Sequence, residues 1–231
     1  MTGDNPHRLQ ERLRDFGLFV RGITRLSSAE IDTYGFEQDK PWLALVGNIG
    51  SSYWPVFSQA PEFGDAGPNP LDRWSERVAG VLADELSLHP VYPFSGPPYY
   101  PFQQWAQRAE ALEQSPIGVM MHPKFGLWHS YRFALLGADF GLQETRQTAA
   151  SPCLSCDDQP CLQRCPVGAF DATGYAVDRC ASYLQQTPGA ECHQQGCLAR
   201  YACPVAPELR YDPAQGRFHL RAFLHARPLT G

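Results

Sequence analysis

The residues in this sequence best suited to chemistry are its eight cysteines, Cys153, Cys156, Cys161, Cys165, Cys180, Cys192, Cys197 and Cys203, all in the last third of the 231-residue chain. The first four read C-x2-C-x4-C-x3-C-P; after the isolated Cys180 the last three read C-x4-C-x5-C-P. A chain of this length closes a core without covalent staples, so stability alone does not account for them. The start, MTGDNPHRLQERLRDFG, has no basic stretch followed by an apolar one, and a cytoplasmic location is expected. In a reducing compartment, closely spaced cysteines bind metal in preference to forming disulfides.

In two-cluster bacterial ferredoxins the cysteine that precedes proline ligates the other cluster. Applied to both Cys-Pro pairs, that rule gives Cys153, Cys156, Cys161 and Cys203 to one [4Fe-4S] cluster and Cys165, Cys180, Cys192 and Cys197 to a second. Every cysteine is then used, four per cluster. Structural zinc in two four-cysteine sites and disulfides are the competing readings. The x4 spacing and the wide second half depart from the short ferredoxin run.

The remaining sequence must fold so as to position these ligands. Residues 8–16 have helical spacing (Leu9, Leu13, Phe16), 17–23 read as a strand, and 42–50, WLALVGNIG, as a buried strand closed by glycines. Residues 70–87 are the clearest helix, with Asn69 as N-cap, Pro70 at the first position, Asp72 in the first turn and a stripe of Leu71, Trp74, Val78, Leu82 and Leu86. The proline- and aromatic-rich stretch 90–102 excludes a helix or a central strand. A helix over 103–114 and a strand over 117–123 follow, while 126–138 is compatible with strand or helix. Interleaved helices and strands predict an α/β domain over 1–148, ahead of a cysteine module over 149–231. Acidic residues outnumber basic ones, 24 to 19, which excludes a nucleic-acid footprint. No apolar run reaches the ~20 residues of a membrane span.

The segments DRCASYLQQTPG (178–189) and GCLARYACPV (196–205) resemble the C-terminal ferredoxin module of epoxyqueuosine reductase and its corrinoid-dependent relatives, the reductive dehalogenases. That resemblance implies two [4Fe-4S] clusters feeding electrons to a cobalamin held by an adjacent α/β domain. In the front domain, MHPKFGLWHSYRFALLG (121–137) is similar to the motif H-P-[RK]-F-G-x-W-x-x-x-R of the cobalamin-processing, CblC-type flavin-reductase-like family. It implies a nitroreductase/CblC-like α/β (α+β) fold with a mixed sheet. It also implies His122, Phe125, Gly126, Trp128 and Arg132 as cofactor-binding residues. Phe125, Trp128, Tyr131 and the loop 90–105 would supply aromatic planes, and Arg132 a fixed fork of donors. A structural role for His122, before a proline, is the alternative. No counterpart of the epoxyqueuosine reductases' acid residue aligns here. GNIGSS (47–52) lacks the G-x-G-x-x-G pattern, and Glu62, Asp65 and Asp72 are the acidic candidates for proton transfer. No catalytic residue is assigned.

The reading is an iron–sulfur oxidoreductase whose two clusters reduce a cobalamin, for cobalamin processing or corrinoid-dependent reduction. Its partners would be an upstream donor (a reductase, ferredoxin or flavodoxin) and a small-molecule cofactor or substrate. The alternatives are a ferredoxin-type carrier with a docking domain and a flavin-dependent or epoxyqueuosine-reductase-like enzyme. The C-terminal stretch 216–229 either packs as a helix over the clusters or forms a dimer contact.

Overall fold

The structure, a computed structural model, describes residues 5–145, 149–171 and 174–227. The strands run in chain order as β1 (Phe19–Arg25), β2 (Trp42–Ile49), β3 (His89–Val91), β4 (Glu113–Gln114), β5 (Met120–Met121), β6 (His129–Gly137), β7 (Phe170–Asp171) and β8 (Gly174–Tyr175). The chain divides into two compact units: Met1–Ala111 with His129–Thr148, and Leu112–Trp128 with Ala149–Gly231.

The first unit is built on a four-stranded sheet of order β1-β2-β6-β3. Every neighbouring pair is antiparallel, which corrects the mixed sheet expected from the resemblance. β2 and β6 lie at its centre, and their apolar runs are buried along most of their length. Pairing with β2, in a register that sets Leu43 opposite Leu136 and Leu45 opposite Ala134, makes 129–137 a strand. β3 falls inside the proline-rich stretch and is an edge strand, where the N–H that Pro90 lacks is not required for the ladder.

The helix Pro70–Leu86 starts at proline and buries Leu71, Trp74, Val78, Leu82 and Leu86. Asn69 stands at the N-cap position, but in a left-handed conformation and without a side-chain capping bond. The helix Ser28–Tyr34, which the sequence reading passed over as a polar segment, is held by a reciprocal capping box between Ser27 and Glu30 and ends at Gly35. The helix expected over 103–114 spans Phe102–Ala109. Trp74, Trp105, Tyr53, Phe57 and Phe133 lie fully inside.

The second unit is made of short pieces. Two two-stranded hairpins (β4-β5 and β7-β8) accompany the helices Val177–Gln186 and Pro213–His225, with single turns between them that repeatedly begin at proline. The second unit begins at Ala149 and also takes in Leu112–Trp128, a segment that precedes the last stretch of the first unit. The reason is packing: Ile117, Met121 and Leu127 share one buried cluster with Cys161, Ala199 and Cys203. Among the described residues no helix is long and apolar enough to cross a membrane.

Candidate metal centre

The first set of thiols is assembled by three turns. Ser151 caps the turn Pro152–Ser155 by accepting from the Cys153 N–H, and the Cys156 N–H closes that turn on the Cys153 carbonyl. Gln159 takes a left-handed conformation just before the single turn Pro160–Gln163, which carries Cys161. Cys203 arrives from the far side, after the turn Leu198–Tyr201, with its N–H on the Arg200 carbonyl. Cys153, Cys156, Cys161 and Cys203 line one small cavity of about 20 Å³, together with Pro152, Pro160, Pro204, Met121 and Leu127.

The second set lines a larger, mainly apolar cavity of about 500 Å³. Cys165 follows the Pro160–Gln163 turn and accepts the Ala169 N–H at 3.3 Å on its sulfur. Cys180 lies in the helix Val177–Gln186, Cys192 opens the turn Cys192–Gln195, and Cys197 stands just before Leu198–Tyr201. The helix Pro213–His225 covers this set: Leu220, Phe223 and Leu224 pack against the cluster of Leu184, Cys192 and Leu198. Gly216 lets that helix approach, since a Cβ there would run into the Gln195 carbonyl. The end of the C-terminal stretch, 228–229, lies outside the described residues.

The electrostatic neighbours of each thiol follow the same division. Cys203 faces Cys153, Cys161 and Cys156, while Cys192 faces Cys180 and Cys165, and Cys197 faces Cys180 and Cys192. Burial pushes the thiols of Cys161, Cys180, Cys192, Cys197 and Cys203 up from their ordinary value, because a thiolate in apolar surroundings lacks solvation. A metal bound there would have to displace those protons and supply the missing positive charge. All eight cysteines are free thiols, with no disulfide among them.

Among the described residues no three His, Cys, Asp or Glu side chains converge closely enough to hold a single ion. Four soft donors around an apolar cavity are the donor set that an iron–sulfur cluster uses. The two cavities are close neighbours: Ala199 lines the second and packs with Cys161 and Cys203 of the first, and Cys165 and Cys197 pack against that same group.

The five residues expected to bind an organic cofactor are engaged in contacts of their own. His122 is 3 % exposed; its Nδ1 accepts the N–H groups of Lys124 and Phe125, and its ring stacks on Phe125 at 4.3 Å. Gly126 pairs back with His122 and lies against Val205. Trp128 is fully buried, edge-on to Tyr201 and Tyr211, with the Arg200 guanidinium 5.2 Å from its ring centre. Arg200 in turn donates to the Leu127 carbonyl. These four residues form a hairpin of the second unit, not a wall of the front domain. Arg132, on β6 in the first unit, donates to Asp72 at 2.8 Å and to Ser75 at 3.2 Å. As arranged, the five do not fit a corrin or flavin face.

Tyr131 is engaged as well, donating its hydroxyl to Glu110 beneath the Arg21 guanidinium, 5.4 Å from the ring centre. In the loop 90–105, Tyr100 stacks on Trp105, and a cleft of about 530 Å³ opens beside it, lined by Asp32, Tyr34, Ser95 and Tyr100. The acidic candidates are each paired with an arginine: Glu62 with Arg77, Asp65 with Arg73 and Asp72 with Arg132. The Arg77 hydrogen bond holds Glu62 below its ordinary value, and the Arg73 hydrogen bond takes Asp65 down to about 2. Carboxyls held ionised in this way are poor proton donors near neutral pH. The sequence reading missed Glu110, Arg21 and Tyr175, since none of them lies in a motif.

No family model and no curated protein matches the chain. Among solved structures it is similar to an epoxyqueuosine reductase from Streptococcus thermophilus, at 13% identity and a TM-score of 0.49, over 93% of this chain and 70% of that one. A selenomethionine-labeled epoxyqueuosine reductase matches at 15% identity and a TM-score of 0.48, over 92% of this chain and 71% of that one. A C. elegans B12-trafficking protein CblC, a human MMACHC homologue, matches at 13% identity and a TM-score of 0.48, over 98% of both chains. Likenesses at this level place no residue and assign no chemistry.

Proposed function

We propose that this chain is an iron–sulfur electron-transfer protein. Cys153, Cys156, Cys161 and Cys203 would hold one [4Fe-4S] cluster and Cys165, Cys180, Cys192 and Cys197 the other. The observation that carries this reading is the division of the thiols into two sets of four around two cavities. Bound there, such clusters supply one-electron chemistry at low potential. The residues of the chain crowd the two sets together, bury Cys161, Cys192 and Cys203 and cover the second set with the helix Pro213–His225.

A corrinoid is the electron acceptor that the sequence resemblance implies, either as a cofactor being processed or as one used on a substrate. The five residues that the resemblance implies are engaged in contacts of their own, so the acceptor is to be found by binding. A ferredoxin-type carrier is the second reading. It is favoured by the open cleft beside Tyr100 and by Tyr99, a large aromatic side chain that is 67 % exposed, as a docking surface would require.

The test is anaerobic reconstitution of the full chain with ferrous iron and sulfide, which should give ~8 iron and ~8 sulfide per chain. Stoichiometric zinc without sulfide would sink the proposal. Adding hydroxocobalamin or FMN to the reconstituted protein and recording visible spectra then separates the readings. Binding followed by cobalt reduction supports the corrinoid enzyme and flavin bleaching the flavin enzyme. No binding of either leaves the carrier.

A further inference from the structure

Among the described residues that line the two thiol cavities, Arg200 is the one permanently charged side chain. It is half-buried, in the turn Leu198–Tyr201, and the backbone of that turn ties one thiol of each set. The Tyr201 N–H donates to the Cys197 carbonyl at 3.1 Å, and the Cys203 N–H donates to the Arg200 carbonyl at 3.2 Å. The residue borders both cavities, because Arg200 lines the second while its guanidinium donates to the carbonyl of Leu127, which lines the first. The guanidinium also lies over two rings, 4.3 Å from the Tyr211 centre and 5.2 Å from the Trp128 centre. Among the described residues no carboxylate pairs with it. A cation drawn partly out of water beside an apolar cavity is costly unless an anion answers it. The ring faces offer only a partial negative charge, and a neutral donor would serve the Leu127 carbonyl. The full charge is therefore the feature that needs a role.

We propose that Arg200 is the counter-charge for the [4Fe-4S] cluster held by Cys165, Cys180, Cys192 and Cys197, and that it raises the reduction potential of that cluster. The inference rests on the two-cluster reading above. Four thiolates bring more negative charge than the core of a cluster offsets, and reduction adds one electron more. A fixed cation at the cavity wall stabilises that added charge, so the reduced form is favoured, net charge being one determinant of the potential. Arginine stays protonated throughout the range in which the protein is folded, and the Leu127 carbonyl and the two rings hold its guanidinium in place. The change that Arg200 biases is a one-electron reduction. The electron comes from an external low-potential reductant, no bond is made or broken, and the guanidinium keeps its proton.

Two variants separate charge from shape: Arg200→Lys keeps the charge and loses the fork of donors, and Arg200→Gln loses both. The test is a redox titration of the reconstituted full chain with dithionite and mediators, followed by electron paramagnetic resonance. In Arg200→Gln one of two transitions is expected to move to lower potential. At a fixed poise the reduced-to-oxidised ratio of that cluster falls about tenfold, equivalent to 59 mV for one electron. Arg200→Lys should recover most of that fall. A purely structural role would leave both potentials unmoved, or would shift them alike in the two variants, since both give up the fork on Leu127. Either result at unchanged iron content would overturn the proposal. If Arg200→Gln loses iron, citrulline at position 200, which keeps the length and planar head of arginine without its charge, carries the test: the same transition should fall, and no fall overturns the proposal. A wild-type chain that assembles no cluster would instead overturn the reading beneath it.

Discussion

Gly126 lies so close to Val205, 79 positions along the chain, that a Cβ on the glycine would stand 2.6 Å from the Val205 carbonyl oxygen. The glycine has a φ of +59°, in the left-handed region where an L side chain is strained. This contact joins the HPKFG hairpin to the stretch that follows Cys203, and Val205 also lines the first thiol cavity. Gly126→Ala should therefore cost on the order of 1–3 kcal/mol and lower iron retention at the first thiol set. Thermal unfolding and iron content of the reconstituted variant would check this. Unchanged stability would mean that the hairpin is free to move away.

Arg21 and Glu110 form an ion pair at 3.1 Å with both side chains almost fully buried, and Arg21 also donates to the Asn48 carbonyl at 2.9 Å. A buried charge that loses its partner is costly, so Arg21→Met or Glu110→Gln should destabilise the first unit by about 3–5 kcal/mol. Replacing both with apolar residues should cost less than the sum. The exposed pair Arg12–Glu85 has the same chemistry at 2.8 Å but faces water, and Arg12→Ala should cost far less than either buried substitution. Urea unfolding of the variants measures each. Equal losses at the two sites would contradict the burial argument.

What the sequence made legible followed from local pattern. The helix Pro70–Leu86 announced itself by Pro70 and its apolar stripe, and β2 by an unbroken apolar run. What it hid was non-local or against propensity. The short helix after Ser27 is marked only by its capping box, and β3 carries a proline that an edge tolerates. The segment Leu112–Trp128 follows the first unit in sequence yet packs with the second, through Leu127 on Arg200 and Trp128 on Tyr201 and Tyr211. For the same reason the HPKFGLW motif read as a cofactor wall: its composition is aromatic, and only tertiary packing shows where the rings are spent.

Glu30 gives the first unit an acid-sensitive joint. Burial works to raise its carboxyl, but hydrogen bonds from Arg108, Ser27 and the Trp105 indole outweigh burial and hold it at about 2, against an ordinary 4.5. A value depressed in the folded state means that its stabilising contribution is complete above about pH 4.5 and fades as pH falls towards about 2. Glu30→Gln should thus be less stable than the wild type near neutral pH, with the gap narrowing as the buffer is taken below about 4.5. Melting temperatures measured across that range would show the narrowing, and a gap independent of pH would remove Glu30 from the acid response.

The two ways of sorting the cysteines predict different iron counts. Sorted by sequence proximity, Cys153, Cys156, Cys161 and Cys165 would hold one cluster. The cavities sort them otherwise, with Cys165 facing Cys180, Cys192 and Cys197, and Cys203 joining Cys153, Cys156 and Cys161. Under the crossed arrangement the pair Cys165→Ala with Cys180→Ala removes two ligands from a single cluster, so about half of the ~8 iron per chain should survive. The pair Cys161→Ala with Cys165→Ala removes one ligand from each cluster, although the two residues are only four positions apart, and should leave little iron. Sequence-local sorting predicts the reverse for both variants. Iron and sulfide analysis after anaerobic reconstitution, with circular dichroism to establish that both variants fold, decides between them. A half-loaded Cys161/Cys165 variant beside an iron-free Cys165/Cys180 variant would refute the crossing.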